Sequence, residues 1–324
     1  MIRHKKILSI VLKIAIGLAS FLIVYFRLKG DLTSDNLQLL YNSVFSFQGA
    51  IILFICLLLI PVNWGLETYK WQLVTAPVEK VSFKKATQSV YSGICLGNLA
   101  PGRATEFIAK IIFFKPENRP QITVLHFING MFQLCVTYLI GFIALAYKVN
   151  SFGDNYLWIA YTAISTAVLV ILVFIISLVK IDAVLNFITR RISKKQNTET
   201  RHEYKFTRVQ LLKLFGLSLL RYFVFYFQMV IIMKLFAGNF NADIALGIAL
   251  YFLITTTIPM ISFLEAAIRA AVAIVVFKGT GLSNAGLALS SVAVWLINII
   301  IPSIAGYFIL IRQNFDFKFY ASKK

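Results

Sequence analysis

Six stretches of the chain are long and apolar enough to cross a lipid bilayer as single helices. A span needs about 20 apolar residues, because the hydrocarbon core is about 30 Å thick and a helix rises ~1.5 Å per residue. Only 14% of the residues are charged and 59% are apolar, whereas a soluble domain carries about 25% charged residues. The sequence therefore predicts an all-α polytopic membrane protein, with residues 1–324 as a single integral membrane domain. The six predicted spans are 7–26, 49–65, 123–147, 156–179, 209–236 and 285–311.

Two further apolar regions, 86–114 and 244–277, are each interrupted near the middle by a proline. Each arm has about 15 residues, so it extends for roughly 22 Å and falls short of the hydrocarbon core. We interpret both regions as re-entrant hairpins, broken at Pro101 and Gly102 in the first and at Pro259 in the second. The alternative is a pair of short full spans at each place. In either case the chain returns to the side from which it entered.

The distribution of basic residues sets the predicted orientation. The net charge is +19, and in a membrane protein basic loops determine topology and contact anionic lipid, so nucleic acid is not expected as a partner. With the N-terminus in the cytoplasm, the inside segments hold 21 Lys and Arg residues, Lys70 among them, and the outside segments hold 4. We therefore expect a multi-pass protein of the inner cell membrane with both termini cytoplasmic. The long basic loop 180–208 is expected to lie on anionic headgroups.

This layout predicts an inverted-topology repeat with halves at about 1–150 and 151–324, as in many transporters. Each half reads as two spans, a hairpin and a third long span. Each hairpin also has a proline followed by a carboxylate and, four residues later, by a cation on the same helix face. These charged pairs are Glu106 with Lys110 and Glu265 with Arg269.

Charged residues at membrane depth require an explanation, because a single charge there costs on the order of 2.5–3.5 kcal/mol on insertion scales. One reading is a pair of structural ion pairs that fix the hairpin geometry. The other is a substrate-binding site at the repeat interface that holds an anionic group. The candidate substrate-binding residues are Arg103, Glu106, Lys110, Arg221, Glu265 and Arg269. Further polar residues recur at helical spacing, and for each of these we favour a role in holding helices together. They are Asn63, Glu67, Lys70, His126, Asn129, Gln133, Thr137, Gln228, Ser291 and Asn298.

The first hairpin also carries a recognisable motif. The run GNLAPGRATEFIAKIIFFK resembles the N-x-x-P-G-R-x-x-E signature of the lysylphosphatidylglycerol synthase transmembrane region, a flippase-like family. The run TTTIPMISFLEAAIRAAVAI is similar to the second motif of that family, although it lacks the usual Gly-rich stretch before the Glu. The resemblance implies a lipid or lipid-linked ligand, with roles for Pro101, Gly102, Arg103 and Glu106, and for Pro259 and Glu265. Full-length synthases add a soluble aminoacyltransferase domain, and we expect none here because no polar stretch exceeds about 30 residues.

From these observations we expect a translocase for a lipid or lipid-linked envelope intermediate, without enzymatic activity. The first alternative is a non-catalytic membrane partner of an envelope glycosyltransferase or lipid-modifying enzyme. The second is a membrane-embedded transferase with Glu106 or Glu265 as base, but the sequence offers no acidic metal cluster, activated nucleophile or nucleotide-binding loop. The His and Cys residues show no ligand spacing, so we expect no metal and no cofactor.

Overall fold

The computed structural model describes residues 22, 25, 26, 38, 41–98, 105–150, 157–196, 205–238, 240–258 and 264–312. Within these residues the chain is helical with short connections. The α-helices are α1 (Phe47–Thr75), α2 (Phe83–Gly97), α3 (Glu106–Ile111), α4 (Arg119–Asn150), α5 (Leu157–Gln196), α6 (Arg208–Phe236), α7 (Ala242–Thr257), α8 (Glu265–Val276), α9 (Asn284–Trp295) and α10 (Ile301–Ile311). The first predicted span, 7–26, lies outside the described residues except for three positions.

Among the residues that the structure describes, five helical segments are long and apolar enough to cross a membrane: α1, α4, α5, α6 and the run from α9 through α10. They match the second to sixth predicted spans, which confirms an all-helical, multi-pass membrane architecture. The predicted end of the second span at Gly65 is wrong, because α1 continues to Thr75. Lys70, which we assigned to a cytoplasmic segment, is instead completely buried in this last part of α1.

The predicted loop 180–208 is also corrected, because α5 continues as a helix to Gln196. Ile181 and Leu185 are buried against the rest of the protein, whereas Arg190 and Arg191 are exposed. An apolar face and a basic face on one continuous helix explain why hydropathy alone ended the span too early.

Both hairpins bring their two ends together. In the first, the Glu79 carboxylate before α2 accepts hydrogen bonds from the Lys115 amide and the Asn118 side chain after α3, each at 3.0 Å. In the second, the Ser283 amide after α8 donates to the Ala237 carbonyl before α7 at 3.3 Å. The two ends of each region therefore lie next to each other, as the hairpin prediction requires. The arms are short: α2 and α7 have 15 and 16 residues, and α3 and α8 have 6 and 12.

The second arm of each hairpin begins at its glutamate. Glu106 is the first residue of α3 and Glu265 is the first residue of α8. The preceding residues, Thr105 and Leu264, have nearly the same backbone angles, with φ of −95° and −98° and ψ of −5° and −6°. In both hairpins the glutamate therefore lies in the first turn of a helix, where the helix dipole favours its negative charge.

The packing of the two halves is reciprocal. The α10 helix of the second half packs on α2 of the first hairpin, and α4 of the first half packs on α7 of the second hairpin. A glycine lies at each contact, Gly306 against Tyr91 and Gly141 against Leu253, where an added Cβ would clash. Small residues allow such close approach between membrane helices. The α1 helix of the first half and α6 of the second also pack extensively on each other.

A single π-helical turn, Leu296–Ile300, joins α9 to α10. Its signature is a hydrogen bond from the Ile301 amide to the Leu296 carbonyl, five residues back. Such turns are rare and often occur at functional sites. Here the turn carries Asn298, which is buried against α1 and α6.

Candidate functional site

Glu67 of α1 lies at the centre of a buried group of charged side chains. Its Oε2 accepts a hydrogen bond from Arg221 Nη1 at 2.5 Å and lies 3.2 Å from Lys70 Nζ. Its Oε1 accepts from Asn129 Nδ2 at 2.8 Å and lies 3.5 Å from Lys110 Nζ. A single carboxylate from α1 therefore joins residues of α1, α3, α4 and α6.

Lys110 of α3 connects the first hairpin to this group of charged side chains. Its ammonium is 2.9 Å from Glu106 Oε1, one helical turn earlier, as the i,i+4 spacing predicts. Its aliphatic chain lies on Gly93 of α2, where an added Cβ would be only 2.8 Å from Lys110 Cγ. Its backbone carbonyl accepts a hydrogen bond from Ser89 Oγ, also on α2, at 2.9 Å. These contacts hold α3 in one position against α2. We call Glu67, Lys70, Glu106, Lys110 and Arg221 the charge cluster.

Two tryptophans of α1 border the charge cluster. Lys110 Nζ lies 5.1 Å from the ring centroid of Trp71, and Arg221 Cζ lies 5.0 Å from that of Trp64. Each indole nitrogen is fixed by a hydrogen bond, from Trp64 to the Asn298 carbonyl and from Trp71 to Ser89 Oγ. Cations desolvated over an indole face gain about 2 kcal/mol. The rings therefore stabilise two cations where little water is present.

A chain of amide side chains continues the polar contacts along α1. Arg221 Nε donates to Asn63 Oδ1 at 2.9 Å, and Asn63 donates to Asn298 Oδ1 at 3.1 Å. Asn298 in turn donates to Gln228 Oε1 at 2.9 Å, and Gln228 donates to the Cys56 carbonyl at 3.0 Å. From Cys56 to Lys70 the network follows 14 residues of α1, or about 21 Å at 1.5 Å per residue. The polar contacts therefore extend over a length of α1 that equals a large part of the ~30 Å hydrocarbon core.

The charge cluster contains more positive than negative charge. It holds three cations and two carboxylates, so its formal charge is +1. The Lys70 and Lys110 side chains are 1% and 2% exposed and that of Glu67 is 6% exposed, whereas Glu106 is 18% exposed. Among the described residues, no group of three or more His, Cys, Asp or Glu side chains could hold a metal ion. The cluster therefore carries a net positive charge beside the partly exposed carboxylate of Glu106.

The second hairpin carries a separate ion pair. Arg269 Nε and Nη2 both donate to Glu265 Oε1, at 3.0 and 2.7 Å. The exposure is the reverse of that in the first hairpin: the carboxylate of Glu265 is 8% exposed and the guanidinium side chain of Arg269 is 21% exposed. The α8 helix that carries this pair packs on α7 and α9. Both ion pairs predicted from the i,i+4 spacing are confirmed.

The structure brings three of the six candidate residues into one group: Glu106, Lys110 and Arg221. Glu265 and Arg269 form the second pair, and Arg103 lies outside the described residues, as do Pro101, Gly102 and Pro259. Two central residues, Glu67 and Lys70, were absent from the predicted site. The sequence does contain one signal for these two residues, because a glutamate three positions before a lysine in an apolar helix favours a buried ion pair. We had grouped these two residues with Asn63 on one face but placed them near the cytoplasmic end.

A sequence model of one family, described as "Lysylphosphatidylglycerol synthase TM region", matches residues 10–306. The chain belongs to this family. The match confirms the resemblance seen in the first hairpin motif, and it includes the whole charge cluster and the second ion pair. No match was found among curated proteins. The membrane region that defines this family therefore makes up most of the chain.

Proposed function

We propose that this chain is a translocase that moves a lipid or lipid-linked envelope intermediate with an anionic headgroup across the membrane. The single observation that carries the proposal is the charge cluster, in which three buried cations and the buried Glu67 meet the partly exposed Glu106 where α3 contacts α1, α4 and α6. Family membership supports the proposal, because the match to the lysylphosphatidylglycerol synthase TM region includes every residue of this cluster. A cluster with excess positive charge attracts an anionic group such as a lipid phosphate.

The polar network supports a path for such a headgroup. A charged group that crosses the hydrocarbon core needs polar partners along its route, because each unsatisfied polar group there costs several kcal/mol. The amides of Asn63, Asn298 and Gln228 extend the polar contacts of the charge cluster by more than two helical turns. The acyl chains would remain in lipid beside the exposed apolar faces of the long helices.

The proposal includes an inverted-topology repeat, supported by the reciprocal packing of α10 on α2 and of α4 on α7. It is also supported by the matching starts of α3 and α8, each with a glutamate first and a cation four residues later. In such repeats the two halves exchange conformations, which opens a central site to one side and then to the other. The two hairpins would then act as gates on opposite sides of the membrane.

The proposed location is the inner cell membrane, with both termini in the cytoplasm. The excess of basic residues in the assigned inside segments supports this orientation. Single cysteines placed at Ser193 and Ser151, in a background without Cys56, Cys95 and Cys135, test it. We expect a membrane-impermeant maleimide added to intact cells to label position 151 and to leave position 193 unlabelled. The reverse pattern would remove the assigned sides of both hairpins.

A leaflet-resolved assay in reconstituted vesicles tests the function. Purified protein is inserted into vesicles that contain a trace of fluorescent phosphatidylglycerol, and dithionite quenches only the probe in the outer leaflet. Vesicles with protein should lose nearly all fluorescence and protein-free vesicles about half, since only the outer leaflet is accessible without exchange. Arg221→Gln should be inactive, whereas the matched control Arg312→Gln, which removes a cation from the exposed end of α10, should be active. If the folded, unmodified protein exchanges none of the lipids tested, the partner-protein alternative is favoured.

A further inference from the structure

The two carboxylates of the charge cluster hold Lys110 in different ways. Glu67 is engaged on both oxygens, by Arg221 and Lys70 on Oε2 and by Asn129 on Oε1. Its contact with Lys110 is the longest of the four at 3.5 Å. Glu67 is therefore fixed in the centre and cannot leave Lys110 without breaking three other contacts.

Glu106 is the outer carboxylate. It makes the shorter contact with Lys110, at 2.9 Å, and its side chain is 18% exposed whereas that of Lys110 is 2% exposed. Glu106 is also the first residue of α3, one helical turn before Lys110. A group that approaches Lys110 from outside the cluster therefore meets Glu106 first.

Rotation of Glu106 away from Lys110 changes the charge that the cluster presents. With Glu106 in place the cluster has a formal charge of +1, and without it the remaining Glu67, Lys70, Lys110 and Arg221 sum to +2. Lys110 cannot follow Glu106, because its aliphatic chain is confined by Gly93 and its ammonium lies over Trp71. The buried ammonium would then keep only its 3.5 Å contact with Glu67, a carboxylate shared with Lys70 and Arg221, and this favours the entry of another anion.

We propose that Glu106 is a displaceable internal counter-ion and that the phosphate of the transported lipid takes its place on Lys110. The inference rests on the proposed function, in that the ligand is an anionic lipid. A phosphate suits this position, because it offers more acceptor oxygens than a carboxylate and a lysine ammonium provides three donors. Glu106 would return when the lipid leaves, which keeps the empty cluster closer to neutral and favours release.

This role predicts that removal of the carboxylate strengthens ligand binding. A residue that contacts the ligand directly, or that only stabilises the fold, gives the opposite result. We would measure binding of short-chain phosphatidylglycerol to the full-length protein in detergent by isothermal titration calorimetry. Glu106→Gln should bind about tenfold more tightly than the unmodified protein, in the usual range for coupled binding events. The same variant should exchange lipid more slowly in vesicles, because no carboxylate returns to Lys110 to favour release of the lipid phosphate.

The matched control is Asp243→Asn, which removes one negative charge at the exposed start of α7 and should leave the affinity unchanged. Glu106→Asp retains a shortened carboxylate and should give an intermediate affinity, which keeps the test valid if Glu106→Gln folds poorly. Inorganic phosphate in the same titration distinguishes two sources of the anion. Binding of the lipid without a response to phosphate supports a headgroup, whereas binding of phosphate alone overturns that assignment.

Weaker or unchanged binding in both Glu106 variants would overturn the inference. If the unmodified protein still exchanges lipid in vesicles, that result leaves the translocase proposal intact. If no preparation exchanges lipid, the proposed function fails regardless of the affinities.

Discussion

Replacement of Glu67 by Gln tests whether the charge cluster is a tightly coupled unit. The change keeps the size of the side chain but removes the negative charge shared by Lys70, Lys110 and Arg221. The loss of one partner from a buried ion pair costs about 3–5 kcal/mol, because the remaining charge is left uncompensated. Lys110 keeps Glu106 and Arg221 keeps Asn63. We therefore expect a loss of stability in this range.

Lys70 should account for most of that loss. Without Glu67, its only remaining hydrogen bond in the described contacts is to Ser218 Oγ at 3.2 Å, while its side chain is 1% exposed. Replacement of Lys70 by Met in the Glu67→Gln background removes the uncompensated ammonium and retains an apolar chain. The double variant should recover about 1–3 kcal/mol relative to Glu67→Gln, the usual size of coupling between contacting residues.

The assay is equilibrium unfolding of the purified protein in mixed micelles with increasing dodecyl sulfate, followed by tryptophan fluorescence. Glu117→Gln is the matched control, since Glu117 is exposed outside the cluster and surface changes usually remain within about 0.5 kcal/mol. A loss below about 1 kcal/mol for Glu67→Gln, or a double variant less stable than the single one, would refute the argument that Glu67 neutralises buried cations.

Three further predictions address geometry. Gly93→Ala places a Cβ 2.8 Å from the Cγ of the buried lysine of α3, so thermal unfolding should show an overpacking cost of about 1–3 kcal/mol; Gly216→Ala, with open space around it, should be neutral or stabilising. Arg221→Lys keeps the charge but cannot bind two acceptors with one planar fork, so exchange in vesicles should fall at normal abundance; full activity would show that charge alone suffices. Cysteines at Arg103 and Glu265 should be bridged by a short crosslinker if the hairpin tips share one site, and no crosslink in any ligand condition would contradict that arrangement.

The sequence predicts those parts of the fold and site that depend on local spacing. Apolar length located five long helical segments, and the i,i+4 rule identified both hairpin ion pairs, because residues four apart lie on one helix face. The prolines predicted two short arms in each hairpin, and α2 with α3 and α7 with α8 are such arms. Each of these inferences depends on residues within a few helical turns of one another.

The role of Glu67 could not be predicted in the same way. Its partners lie 43, 62 and 154 residues away in the chain, at Lys110, Asn129 and Arg221. Charged residues near the end of an apolar run normally mark the membrane boundary, which is why Lys70 was counted with the cytoplasmic cations. Only the tertiary packing reveals that these charges neutralise one another inside the protein, so the helix can continue past them.

The π turn between α9 and α10 fixes the rotational setting of the last helix. In an α-helix each residue turns the chain by about 100°, so removal of one residue from Leu296–Ile300 would restore a regular helix and swing all of α10 around its axis by about that angle. Gly306 would leave Tyr91 and a bulkier neighbour would face α2. The same turn holds Asn298 at the junction of α1 and α6. This single widened turn thus couples the orientation of the helix that supports the first hairpin to the polar network beside it.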